Sequence, residues 1–450
     1  MNNLLTSRHF QWWILFAGIL LYVPSLWSGF ISDDHKILAL GLNHVQDKQF
    51  FRPGVFWFNQ ALFDTCDWCY HMVQLILWGC CCWLFYRFAA FFLTDTYMQC
   101  IALAIFVFLP SHTDAVVWLS GIASLFAGCL VLLHWITLLQ GFQTKINAWF
   151  ILSGASMVMA WCTYESSWAI LILTPLLLYW KARLNFRQWL ITMTLLISLF
   201  GVYLFFRIQY LGNWYGTYGE VHQQIKPFHF MLHAVRFLYR TFTLPSDSER
   251  MAYILLGCIV VTGFHLLFTK KRTEHRFTRS TVVLILCFFI ALLPVLSFNV
   301  SMHSSEGERY LFLPATFLVL AVTGLIRQLK TSMQNILIVT YCLVAATGVI
   351  LIQLRWIEAG VHIRNLYTEL RQYSFSNLRV IDLPTEAHST YAYRIGFADG
   401  FTIYRQSPPK QLEIISTRIF HKWPGHQLKT KDDTLILRFI DQEPTSKDLR

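Results

Sequence analysis

Charge is what this chain has least of. Only 14% of its 450 residues are Asp, Glu, Lys or Arg, where a soluble domain carries roughly a quarter. Hydrophobic residues make up 55% and aromatic residues 16%, and mean hydropathy is +0.46. This excludes an ordinary soluble domain and describes a polytopic membrane protein. No small-residue cleavage site follows the first apolar stretch, so that stretch reads as a retained anchor. No second CxxC accompanies Cys66-x-x-Cys69, which argues against a zinc site and leaves a pair that can bridge in an oxidising compartment. The other cysteines fall mostly in apolar stretches as small hydrophobes. No repeat of fixed period is visible. Acidic residues number 25 against 36 basic ones, for a formal charge of +11. The excess lies in short loops between apolar runs, where it meets anionic lipid and sets orientation, so it does not point to nucleic acid.

A spanning helix needs about 20 mostly apolar residues. About eleven segments qualify: 11–30, 70–92, 97–110, 115–139, 148–162, 166–180, 188–210, 251–269, 280–298, 310–327 and 335–354. With the N-terminus in the cytoplasm, the denser set of basic residues, including Arg8, Arg87, Lys181, Lys270, Lys271, Arg272 and Arg276, falls on the cytoplasmic side. An odd number of spans puts the C-terminus outside. The predicted fold is an all-α polytopic membrane protein of about eleven spans, residues 1–354, with long outer loops at 31–69 and 211–250. Residues 355–450 form a small extracytoplasmic α/β domain, because runs such as 378–384 and 434–440 read as strands.

Carboxylates and arginines recur at the predicted outer edge. Asp33 and Asp34 follow the first apolar run, and two adjacent carboxylates at a membrane surface repel each other and are costly to place. Arg52 lies in the same loop. His112 and Asp114 lie in the next outer loop, Glu165 at a later helix end, and His303, Arg309 and Tyr310 at the start of a late span. This set fits transfer of a group from a lipid-linked phosphate. Arg309 and Arg207 are placed to bind a headgroup phosphate through a bidentate fork. Asp33 or Asp34 is placed to take a proton from an acceptor hydroxyl. Plainer alternatives stand beside each. The Asp pair can cap a helix, Arg309 can snorkel, and Glu165 can pair with a neighbouring helix. His112 and Asp114 can form a turn and cap, and His303 can be loop surface. His71 and His134, inside apolar spans, read as packed core.

The order of these pieces resembles the GT-C superfamily of polytopic glycosyltransferases. The resemblance is to the protein O-mannosyltransferase-like branch, with its transmembrane and tetratricopeptide-repeat mannosyltransferases and their bacterial relatives. The stretches that carry it are Phe30-Ile-Ser-Asp33-Asp34, Phe51-Arg52-Pro53, Tyr70-His71-Met-Val, Pro110 to Gly121, Tyr164-Glu165, and Glu308-Arg309-Tyr310-Leu-Phe-Leu-Pro314. The chain departs from the pattern at Gly121-Ile122-Ala123-Ser124, where the family often has Gly-Arg-x-Asp. The resemblance implies a GT-C membrane fold, a polyprenyl-phosphate-linked sugar donor and an extracytoplasmic, usually inverting reaction. It implies Asp33 as general base, Arg309 on the donor phosphate, and Glu165 lining the same cavity.

The expected function is therefore an integral-membrane glycosyltransferase, of hexosyl or mannosyl type. It moves a sugar from a polyprenyl-phosphate donor to a hydroxyl of a protein or glycolipid acceptor, with no cofactor and no metal required. The expected location is a bacterial inner membrane. The competing readings are a transporter or flippase for lipid-linked saccharides, a ligase of surface polysaccharide, and a non-catalytic relative. Transporters usually carry mid-membrane charges and repeated halves, neither of which is legible in this sequence.

Overall fold

A computed structural model describes residues 9–40, 61–182, 184–212, 227–245, 257, 275–298, 300–404 and 407–441. Arg52 and nearly all of the expected span 251–269 lie outside the described residues, as do Lys270, Lys271 and Arg272.

The helices are α1 (Phe10–Tyr22), α2 (Asp33–Leu40), α3 (Asp67–Ala89), α4 (Thr96–Val107), α5 (Thr113–Val117), α6 (Ile122–Thr144) and α7 (Asn147–Thr163). They continue with α8 (Ile170–Leu177), α9 (Phe186–Leu211), α10 (Pro227–Phe242), α11 (His275–Leu292), α12 (Phe312–Ile326) and α13 (Thr331–Leu370). Among the described residues, six helical segments are long and apolar enough to cross a membrane: Phe10–Trp27, Asp67–Ala89, Leu119–Thr144, Phe186–Leu211, Glu308–Ile326 and Thr331–Leu370. The pieces Thr96–Val107 and Pro110–Val117, bent by 58°, make a seventh if they cross as one.

Among the described residues the expected spans are matched only in part, for local reasons. Residues 166–180 do not form one straight rod. A 3-10 turn (Glu165–Ala169) leads into α8, which carries Pro175 and ends in a π-helical turn (Leu178–Ala182). The expected span 115–139 starts late, because 110–121 is taken up by short turns around α5. α7 has only 17 residues. Good caps mark other ends: Asp95 accepts from Tyr97 N at 3.0 Å before α4, and Asn185 with Gln188 forms a capping box at α9.

Burial separates inner from outer helices. The apolar window of α6 is 89% buried, which makes it the centre of the bundle. That of α9 is 11% buried, with Leu195, Phe205 and Phe206 turned outward as a lipid-compatible face. α13 runs on for 40 residues, so the boundary expected at 355 falls inside a continuous helix. Its end carries the C-terminal unit, which the sheet strands begin at residue 377.

That unit contains β1 (Asn377–Ile381), β2 (Leu383–Ala387), β3 (Thr390–Tyr391), α14 (Phe397–Ile403), β4 (Gln411–Ile414), β5 (Thr417–Phe420), β6 (Gly425–Lys431) and β7 (Thr434–Ile440). One sheet has the order β4-β1-β7-β6, with β1 parallel to both neighbours and β6 antiparallel to β7. The other has the order β3-β2-β5. The strand-like run 378–384 is split between the sheets at Asp382, which adopts φ 55° and accepts from Ser416 Oγ at 2.9 Å. Side-chain pairs fasten the unit to α13: His388 contacts Glu358 at 2.9 Å, and His426 contacts Glu369 at 2.8 Å. Tyr367 of α13 donates to the Phe397 carbonyl at 2.6 Å. Gly396, at φ 84°, lies against the backbone of Ser32 and Lys36, where any side chain would collide. The unit therefore rests directly on the corner that carries the Asp pair.

Candidate functional site

The corner after α1 is built by Pro24 in a 3-10 turn, Gly29 at φ 69° and Ser32 at φ 53°, and α2 begins at Asp33. Asp34 is fully buried and locks this corner. One carboxylate oxygen accepts from Ile31 N at 3.0 Å, and the other accepts from Ser120 N at 3.0 Å and Ser120 Oγ at 2.7 Å. Trp118 Nε1 donates to the Ile31 carbonyl at 3.2 Å, so two distant turns are stitched together. Gln74 adds a third stitch by donating to the Trp118 carbonyl at 2.7 Å. His71 lies 3.0 Å from Gln74 Oε1 and 3.2 Å from the Gly29 carbonyl. The turn at 118–121 needs Gly121, because a Cβ there would sit 2.5 Å from the Asp114 carbonyl.

Asp33 has a different setting. It is only partly buried, and Ser32 Oγ donates to it at 3.0 Å. Burial pushes its acid up from the ordinary value, while the charges of Arg309, Arg394 and Lys36 pull it back down. Burial pushes Asp34 up to about 8, against the donors from Ile31 and Ser120, and the Asp33 charge adds to the rise. Burial thus raises both acids, with nearby cations easing the rise at Asp33 and backbone and hydroxyl donors easing it at Asp34.

Arg309 enters from the 3-10 turn Glu308–Leu311 that opens α12. Its backbone N–H donates to Asp114 Oδ2 at 3.1 Å, and its Nη1 lies 3.4 Å from the same oxygen. Its guanidinium lies 4.7 Å from the Trp118 ring and 4.9 Å from the Tyr310 ring. The Asp114 side chain is fully buried, whereas that of Arg309 keeps 17% exposure and so remains reachable. Tyr310 stacks between Phe298 at 5.1 Å and Tyr164 at 6.3 Å. Next to Arg309, Glu308 is fully buried and paired with Arg240 of α10.

The expected residues therefore fall into groups. Asp33, Asp34, Asp114, Arg309 and Tyr310 come together. Glu165 and Arg207 pair with each other at 2.8 Å. Arg207 is 2% exposed, donates to Tyr203 Oη at 3.0 Å and lies over the Trp168 ring, so it is engaged inside the bundle and is not presented to a headgroup. His112 is also displaced from its expected role: it is buried in an aromatic box of Phe106, Trp78 and Phe312, at 4.5, 5.1 and 4.9 Å. His303 is exposed on the loop, with its N–H on Ser301 Oγ. His134 is a core residue, in contact with Ser153 and Thr174.

The sequence reading missed Ser120 as the anchor of Asp34 and missed the C-terminal contribution altogether. Tyr391 of β3 packs its ring 4.6 Å from Trp118, and Arg394 follows it, paired with Glu306 of the loop before α12. Among the described residues no group of three or more His, Cys, Asp or Glu side chains could hold a metal ion. Cys66 and Cys69 form a disulfide at the start of α3.

No protein-family model matches the chain, and no curated protein matches it. The functional reading rests on the geometry around Asp33 and Arg309.

Proposed function

We propose that this cluster is the active site of an integral-membrane glycosyltransferase of GT-C type that uses a polyprenyl-phosphate-linked sugar. The observation that carries the reading is a chain of contacts that brings opposite ends of the bundle's sequence to one corner: Asp34, next to Asp33, is hydrogen-bonded to Ser120, and the Arg309 guanidinium lies 4.7 Å from Trp118 of the same turn. A partly exposed carboxylate beside a guanidinium, at the edge of an apolar bundle, suits a substrate with an apolar tail, an anionic headgroup and a reacting carbon next to it.

In this mechanism Asp33 removes the proton from the acceptor hydroxyl as its oxygen attacks the anomeric carbon. The bond from that carbon to the phosphate oxygen breaks, and its electron pair leaves on the phosphate. Arg309 stabilises the developing charge through its fork and a water-poor setting over Trp118 and Tyr310. The products are a glycoside of inverted configuration, a polyprenyl phosphate and a protonated Asp33. Asp34 acts through its neighbour: its hydrogen bonds to Ile31 and Ser120 hold the corner on which Asp33 stands. The Cys66–Cys69 disulfide supports an oxidising, extracytoplasmic side for this edge.

The test is the surface glycome of cells that carry, lack or carry an altered form of the chain. A glycan or glycoprotein lost on deletion should return with the natural sequence and stay absent with D33N and with R309Q, at equal membrane levels. Full restoration by D33N would overturn the proposal.

A further inference from the structure

We infer that Arg394, supplied by the C-terminal unit, is a second headgroup-binding residue, and that the site takes a lipid-linked diphosphate. This rests on the proposed function and narrows its donor to the diphosphate-linked class, for which the leaving group of the same step is the polyprenyl diphosphate. Two guanidiniums bracket one pair of touching rings. Arg309 lies 4.7 Å from Trp118, Trp118 lies 4.6 Å from Tyr391, and the Arg394 guanidinium carbon lies 5.9 Å from Tyr391. The site therefore has one cation from the membrane bundle and one from the sheet unit above it.

Their partners differ in a way that matters for binding. Arg309 is held by Asp114, which is fully buried and also takes the Arg309 backbone N–H. That arginine is pre-set in one position. Arg394 is 45% exposed and its partner Glu306 is 31% exposed. An ion pair so open to water contributes little. A phosphate oxygen can take the place of Glu306 at small cost, and Glu306 then returns to solvent. A sugar linked to a polyprenol through one phosphate carries a single negative charge, while one linked through a diphosphate carries two. A second reachable guanidinium selects the second charge. No bond is made or broken by Arg394; it binds and orients.

The test uses the full-length chain in nanodiscs, titrated with farnesyl phosphate, farnesyl diphosphate and inorganic diphosphate, with tryptophan fluorescence as the readout. The natural chain should bind farnesyl diphosphate about tenfold more tightly than farnesyl phosphate. R394Q should erase that preference while changing the monophosphate affinity by less than about twofold, and R309Q should weaken both lipids. E306Q, which removes the competing carboxylate, should tighten the diphosphate alone, and it stands in if R394Q does not fold. Equal affinities for the two lipids, or a preference that survives R394Q, would overturn the inference and leave the glycosyltransferase reading standing. Inorganic diphosphate binding as tightly as the farnesyl form would overturn the lipid-linked assignment. Failure of both lipids to bind the natural chain would remove the donor reading itself.

Discussion

Asp34 gives the site a stability signature that a single near-isosteric substitution can isolate. Its fully buried carboxylate accepts three hydrogen bonds, from Ile31 N, Ser120 N and Ser120 Oγ. D34N is nearly isosteric, but its amide N–H₂ must face one of those donors. An unsatisfied buried donor costs about 1–3 kcal/mol, so the variant should be less stable than the natural chain by that amount near pH 6.5. The pH dependence carries the sharper information. The acid is raised in the fold from 3.8 to about 8. The fold therefore binds a proton that the unfolded chain has released, so this group's contribution is present in acid and is lost as pH rises through about 8. His35, packed between Tyr367 and Tyr404, works the other way, because burial lowers it from 6.5 to about 3. Its contribution is present above 6.5 and is lost as pH falls through about 3. The two oppose each other between about pH 4 and 6.5, and above that window Asp34 acts without His35. One proton corresponds to a slope of at most about 1.4 kcal/mol per pH unit, or about 2 kcal/mol from pH 6.5 to 8. Unfolding in one detergent, measured for both proteins across that window, should show the stability gap narrowing as pH rises. A gap that stays constant would refute the assignment of the raised acid to Asp34.

Two further outcomes follow from neighbouring contacts. Arg240 and Glu308 are both fully buried, so R240M should cost about 3–5 kcal/mol by stranding a carboxylate, and R240M/E308M should recover much of it in a double-mutant cycle. G121A should push the Trp118–Gly121 turn off the Asp114 backbone, lowering the unfolding temperature and transferase activity together; an unchanged protein would show that the turn tolerates a side chain.

Much of the framework was legible in the sequence because apolar length alone marks a long helix. The runs at 11–30, 70–92, 188–210 and 310–327 correspond to helices Phe10–Trp27, Asp67–Ala89, Phe186–Leu211 and Glu308–Ile326. Length says nothing about breaks inside a run, so the interruption at Pro175 and the π-helical turn after it stayed hidden. The continuation of α13 to Leu370 was hidden too, since its outer turns become polar without a helix breaker. Asp33, Asp114 and Arg309 were legible because a charge at the end of an apolar run is conspicuous. Arg394 was not, because it sits in a polar segment where arginine is unremarked. Pairing was the least legible of all. Arg207 was expected at a headgroup and instead serves Glu165, a choice made by the packing of α9 against the turn at 165–169.

The measurement that bears most directly on the site is a cross-link between its two halves. In D33C/R309C, treated in intact membranes with a short bis-maleimide, mass spectrometry should recover a linked pair of peptides containing positions 33 and 309. If each position is labelled singly in its own variant but the linked pair never forms, the carboxylate and the guanidinium do not share a pocket, and the catalytic account is wrong.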